Sequence, residues 1–172
     1  MTRKRLCFGL LVLAALSLCA PSAVYAQKLV FLVRHAERAD AASPQMQGQA
    51  DPPLSAAGEA RAAKLAGMLA DAGIKAIIVT EYRRTQDTAR PLATKLGLTA
   101  QRVSARETGA LVAKLRSEHA DEIVLVVGHS NTVPDIIKSL GGPDVKISDD
   151  DYDNLFIVVP GAGTTTRLRF AP

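Results

Sequence analysis

Tryptophan is absent from the 172 residues, and three tyrosines and four phenylalanines are the only other large aromatics. A core without bulky rings must be filled by Leu, Val, Ile and the abundant Ala, which suits a sheet closely covered by small-residue helices. Cysteine is equally scarce: the two present, Cys7 and Cys19, both precede residue 27. The remaining chain has no thiol, which excludes disulfides, a cysteine nucleophile and thiolate-bound zinc there. An excess of one charge is missing too. The formal net charge is +4, but three of the cations are Arg3, Lys4 and Arg5, so the rest carries only +1. Such a balance gives no footprint for nucleic acid or for a membrane surface. There is no internal repeat, low-complexity tract or interdomain linker, so residues 27–172 read as one domain.

The one long apolar run, Phe8 to Ala20, follows the basic head and precedes Val24-Tyr25-Ala26. That is the layout of a secretory signal peptide, and the run is too short for a comfortable membrane span of about 20 residues. Cleavage after Ala26 is expected. The product is a periplasmic or secreted protein with no stable membrane association.

Beyond residue 26, two hydrophobic periods alternate. Leu29 to Val33 is fully apolar and rich in β-branching, as a strand buried on both faces should be. Ala39 to Pro53 is polar and aperiodic, a loop. Leu65, Met68, Leu69 and Ala72 line one face of a helix that Ser55 can cap and Gly73 can end. Strands are further expected at 76–79, 101–104 and 123–127, and helices at about 83–96, 108–119 and 132–140. Pro91 should kink or split the second of these helices. Residues 155–159 and 164–170 read as a hairpin joined by Pro160-Gly161-Ala162-Gly163. The expected fold is a three-layer α/β/α sandwich with a mainly parallel sheet and an antiparallel C-terminal edge hairpin.

In such a sheet, ligands bind outside the carboxyl ends of the strands. Arg34 and His35 follow the first strand, Arg84 the second, Glu107 the third and His129 the fourth. Two arginines, two histidines and a glutamate would therefore share one rim. Guanidinium groups meet the oxygens of a phosphate monoester with paired, charge-assisted hydrogen bonds. A neutral imidazole can attack phosphorus in line, and a nearby carboxylic acid can protonate the leaving oxygen.

Leu32-Val33-Arg34-His35-Ala36-Glu37 resembles the Arg-His-Gly block of the histidine phosphatase superfamily, the phosphoglycerate-mutase-like proteins. Thr80 to Ala89 resembles its Ser-x-x-x-Arg-Ala-x-x-Thr block, Val126-Val127-Gly128-His129 its Gly-His block, and Leu54-Ser55-Ala56-Ala57-Gly58 the element that opens the first helix. The resemblance covers nearly all of residues 27–172. It implies that His35 is the phosphorylated nucleophile and that Arg34, Arg84 and His129 hold the phosphoryl group. Ala36 stands where the pattern has Gly, and Thr80 where it has Ser. The general acid falls to Glu107, with Glu81 and Asp135 as other candidates.

The remaining charged groups have plainer readings. Glu37 can orient an arginine, Arg83 and Arg90 are surface or structural groups, and His119 is a solvated group at a helix end. Asp149-Asp150-Asp151 with Asp153 reads as a solvated loop, without the alternating ligands and glycine of a calcium loop. No metal and no cofactor are expected, and the partner is a small phosphorylated substrate. The expected activity is hydrolysis of a phosphate monoester. A mutase-type phosphotransferase, a phosphohistidine-protein phosphatase and a non-catalytic phosphate-binding protein are the competing readings. Substrate identity and oligomeric state stay open.

Overall fold

The computed structural model describes residues 29–39 and 50–171. The expected signal segment and most of the loop after Ala39 lie outside them. Among the described residues, six strands form one sheet in the order β3-β2-β4-β1-β5-β6. These are β1 (Leu29–Arg34), β2 (Ala76–Val79), β3 (Gln101–Arg102), β4 (Ile123–Gly128), β5 (Asn154–Val158) and β6 (Thr165–Arg169). The pairs β1–β4, β2–β4 and β2–β3 are parallel, whereas β1–β5 and β5–β6 are antiparallel. The mainly parallel sheet with its antiparallel C-terminal edge is thus the one the sequence pattern implies.

Alternation along the strands divides the apolar side chains between two cores. Val30, Leu32, Ile78, Val124, Val126 and Phe156 pack with α3 (Thr108–Glu118) and α4 (Thr132–Ser139) on one face. Phe31, Val33, Ile77, Val79, Leu125 and Val127 pack with α1 (Ala56–Leu69) and α2 (Arg83–Leu96) on the other. Each strand of the centre is apolar on both sides because both sides are covered. Trp is not missed: the gap between layers is closed by Leu65, Leu92, Leu115, Ile136 and Ile137, all almost wholly buried.

Three local expectations change. Pro91 does not split α2, which is one helix from Arg83 to Leu96. The proline forgoes one backbone bond, while buried Ala89 and Leu92 on either side dock both halves on the same core. His119 is not a solvated group but is buried at the end of α3, with Nδ1 2.7 Å from a Glu122 carboxylate oxygen. β3 keeps only two ladder residues, a short edge strand.

Candidate active site

The parallel register sets the spacing of the site. Arg34 of β1 lies opposite Gly128 of β4, and Val79 of β2 lies opposite Val127. The next residues, His35, Thr80 and His129, therefore leave the sheet side by side. The His35 N–H still donates to the Gly128 carbonyl at 2.9 Å, so the ladder continues into the site. The two imidazoles sit with ring centres 5.3 Å apart and planes at 63°.

His35 is 4 % exposed, and its Nδ1 lies 2.8 Å from the Ala36 carbonyl oxygen. A carbonyl can only accept, so Nδ1 carries the proton and Nε2 keeps its lone pair. Burial lowers the His35 pKa from 6.5 to about 3, helped by Arg34, His129 and Arg84 and opposed by the bond to Ala36. Burial likewise lowers that of His129 to about 4, helped by Arg84 and Arg34 and opposed by Glu81 and Asp51. Both rings are neutral at pH 7, which is the state a nitrogen nucleophile requires.

The guanidinium of Arg34 is fixed from one end. Its Nη1 donates to the carbonyls of Ser148 at 2.8 Å and Asp149 at 2.7 Å, and its carbon lies 4.1 Å from the Tyr152 ring centre. Its Nε is buried and makes no hydrogen bond. Arg84 stacks on the Tyr82 ring at 4.2 Å and lies 3.6 Å from Asp51. Tyr82 in turn meets His129 edge-on at 5.3 Å. Each arginine therefore has an aromatic floor, and the two rings keep their guanidinium planes in place.

The segment from Thr80 to Thr88 braces both histidines. Thr80 Oγ1 lies 2.9 Å from His129 Nε2, while Thr88 Oγ1 accepts the Ala36 N–H at 2.9 Å. Ala36 is fully buried beside Leu54 and Ala62, so its methyl fills space rather than crowding the nucleophile. Ser55 caps α1 by accepting the Gly58 N–H, and a side chain at Gly58 would meet the Glu37 carbonyl at 2.3 Å. That glycine lets the helix approach the segment that follows His35. Glu37 does orient an arginine, Arg61, with contacts down to 2.6 Å.

A cavity of about 590 Å³ opens over these groups. Arg34, His35, Arg84 and His129 line it together, with Arg38, Arg106, Tyr82 and Tyr152 around them. Glu107 is not among the lining residues: it is exposed at the start of α3, one residue beyond Arg106. Glu81 turns its carboxylate to the Ala105 N–H at 2.7 Å, and Asp135 lines a separate depression with Pro134 and Lys146. Among the described residues, the carboxylic ones on the cavity wall are Asp149 and Asp150, from the run expected to be merely solvated. Asp151 and Asp153 of that run instead pair with Arg169. Tyr82, Tyr152 and these aspartates escaped the sequence reading. A signal was nonetheless present, since a strand antiparallel to β1 must begin beside the end of β1.

Fold and site define a doubly wound α/β protein with a cationic pocket that holds two neutral imidazoles, a cradle for a compact anion. Residues 30–108 match the family model described as Histidine phosphatase superfamily (branch 1). It is 48% identical over 69 residues to a protein of Yersinia enterocolitica named probable phosphoglycerate mutase GpmB. A namesake from Enterobacter is 44% identical over 68 residues. Those alignments take in 40% of this chain and about a third, 32%, of either relative. Among solved structures, the protein histidine phosphatase SixA complexed with tungstate superposes with a TM-score of 0.64 at 18% identity, over 84% of this chain and 97% of that one. SixA from Agrobacterium tumefaciens gives 0.62 at 19%, over 85% and 99%. A mycobacterial glucosyl-3-phosphoglycerate phosphatase gives 0.59 at 16%, over 74% and 90%. The fold is shared with all three.

Proposed function

We propose that the protein hydrolyses phosphate monoesters through a phosphohistidine on His35. The observation that carries this reading is the state of that ring: neutral, with its proton tied to Ala36 and its Nε2 lone pair free, beside Arg34 and Arg84. Nε2 attacks phosphorus in line, and the bond from phosphorus to the leaving oxygen breaks as that oxygen takes a proton. Arg34, Arg84 and His129 surround the charge on the remaining oxygens, in a site already ordered before substrate arrives. Water then cleaves the N–P bond and releases orthophosphate. For the proton we assign Asp149 or Asp150, which face the cavity, in place of Glu107, which does not. No step in this scheme calls on a metal or a cofactor.

The relatives support the reading by the activities in their names, phosphatase and mutase, and by the tungstate in one of the superposed structures. Phosphate release from p-nitrophenyl phosphate in EDTA, with His35→Ala alongside, tests it. Turnover that persists in EDTA and disappears in the variant is expected; turnover that persists in the variant removes His35 as nucleophile. The substrate is proposed to be a small phosphorylated compound met outside the cytoplasm, given the signal-like residues 1–26. N-terminal sequencing of the protein recovered from the periplasm or medium should begin at Gln27.

A further inference from the structure

His129 is held by a chain of buried hydroxyls, whose consequence for turnover rests on the phosphoryl-transfer reading. His129 Nε2 touches a hydroxyl, and a hydroxyl can donate or accept. The atoms behind that hydroxyl decide which. Thr85 Oγ1 lies 2.8 Å from the Tyr82 carbonyl and 3.2 Å from the Thr80 carbonyl. Neither carbonyl has a proton to give, so the Thr85 hydroxyl proton must lie toward them. Thr85 Oγ1 is then an acceptor, both from the Thr80 N–H at 3.1 Å and for Thr80 Oγ1 at 3.0 Å. If Thr80 did not donate there, two bare oxygens would face each other across that distance inside the protein. Thr80 and Thr85 are buried, so water cannot relieve such a contact. Thr80 therefore donates to Thr85 and accepts from His129.

We propose that Thr80 is a positioning residue that locks His129 as the Nε2–H tautomer and turns an unprotonated Nδ1 to the cavity. The two histidines are thereby mirror cases. His35 is protonated on Nδ1 and offers Nε2, while His129 is protonated on Nε2 and offers Nδ1. One lone pair is the nucleophile. The other cannot sit against a fully deprotonated phosphoryl oxygen, so one proton must lie between Nδ1 and that oxygen when an anion binds. Among the described residues, the charged and titratable groups facing His129 are Arg34 at the end of β1, His35 just after it, Glu81, Tyr82 and Arg84 after β2, and Asp51 from the preceding loop. Arginines and acids oppose one another there, and the hydroxyl chain fixes which nitrogen is left for the extra proton.

The tautomer can be read directly from nitrogen chemical shifts of the His129 ring in the full chain at pH 7. Nε2 should show a protonated, pyrrole-type signal and Nδ1 an unprotonated, pyridine-type one. Adding inorganic phosphate should move the Nδ1 signal toward the protonated value. The opposite assignment in the free protein overturns the proposal whether or not the protein turns over any ester. Thr80→Val keeps the volume and removes the hydroxyl. It should lower kcat by at least about tenfold, the worth of one buried hydrogen bond to the reacting groups, with KM changed about threefold or less. It should also let the Nδ1–H tautomer appear in the spectrum. Thr80→Ser should restore both rate and spectrum. An unchanged kcat and spectrum in Thr80→Val, or a serine variant as impaired as the valine one, refutes the assignment. A correct spectrum in a protein that releases no phosphate would retain this inference and reject only the hydrolase reading.

Discussion

Glu37 closes both carboxylate oxygens on Arg61, with Nε at 2.9 and 3.0 Å and Nη2 at 2.6 Å. The same guanidinium donates from Nη1 to the Phe170 carbonyl at 2.7 Å, so residues two beyond the nucleophile, helix α1 and the end of β6 share one knot. Glu37→Gln leaves the largely buried Arg61 without its counter-charge. A loss of about 2 kcal/mol is expected, below the full cost of breaking a buried pair because both side chains keep some exposure. In a domain of this size that lowers the thermal midpoint by about 4–8 °C. A midpoint within about 1 °C of wild type would contradict it.

Acid should weaken the fold through three groups acting in one direction. His35 and His129 stay neutral in the fold down to about 3 and 4, whereas the unfolded chain protonates them near 6.5. Below that pH the unfolded chain binds more protons, and stability falls by up to about 1.4 kcal/mol per pH unit for each histidine. Burial, the largest single influence, would raise the Glu37 carboxyl, but its hydrogen bonds to Arg61 and to its own backbone, with the charges of Arg61 and Arg34, together hold it below its ordinary value. Its contribution is present above the unfolded pKa and is lost as pH falls through the folded one. Thermal midpoints measured from pH 7.5 down to 4.5 should decline steadily, with most of the fall beginning below about 6.5. A flat profile over that window would show that the rings are not buried as neutral groups.

Two glycines on α1 should respond to alanine with opposite sign. At Gly67 a methyl meets nothing within 4 Å, and removing a helix-interior glycine should stabilise by up to about 1 kcal/mol. At Gly58 the same methyl would meet the Glu37 carbonyl at 2.3 Å, and backbone cannot step aside cheaply. Gly58→Ala should destabilise by about 1–3 kcal/mol and displace the segment after His35, lowering activity as well. Denaturant melts of the two variants, run together, check the pair of signs.

The proton donor can be located by three conservative changes. Glu107 is exposed off the cavity wall, so Glu107→Gln should leave kcat within about twofold. Asp149→Asn or Asp150→Asn should lower kcat by about 10²-fold or more, as loss of a positioned acid does. Esters with very good leaving groups need no proton and should lose far less. A large effect at Glu107 alone would return the role to the residue after β3.

The sheet and four of the site residues were legible because each is a local signal. A β-branched apolar run ends and the residues at or shortly after its end reach the rim, so Arg34, His35, Arg84 and His129 could be placed together before any geometry. The same signal does not bring Glu107 to the cavity wall. Glu107 follows β3, but β3 is the outermost strand and only two residues long, so its end lies far from β1 along the rim. Asp149, Asp150 and Tyr152 precede β5, which looks like the wrong end of a strand. β5 runs antiparallel to β1, with Leu155 opposite Val33, and that reversal delivers the preceding residues to the pocket. His119 misled for the opposite reason: polar neighbours suggested solvent, while its own ring fills a gap at the foot of α3.

Thr80 braces one histidine and Thr88 the segment behind the other, and the first turns of α2 lie between them. The helix is thus a calliper whose opening is set by residue count. Adding or deleting one residue within the helical part of this span, between positions 83 and 88, would swing the far hydroxyl by about 100° and shift it about 1.5 Å along the axis, out of reach of Ala36. Pro91, which forfeits a helix bond, falls just outside the gauge. Length variation in this protein is therefore barred between the two threonines.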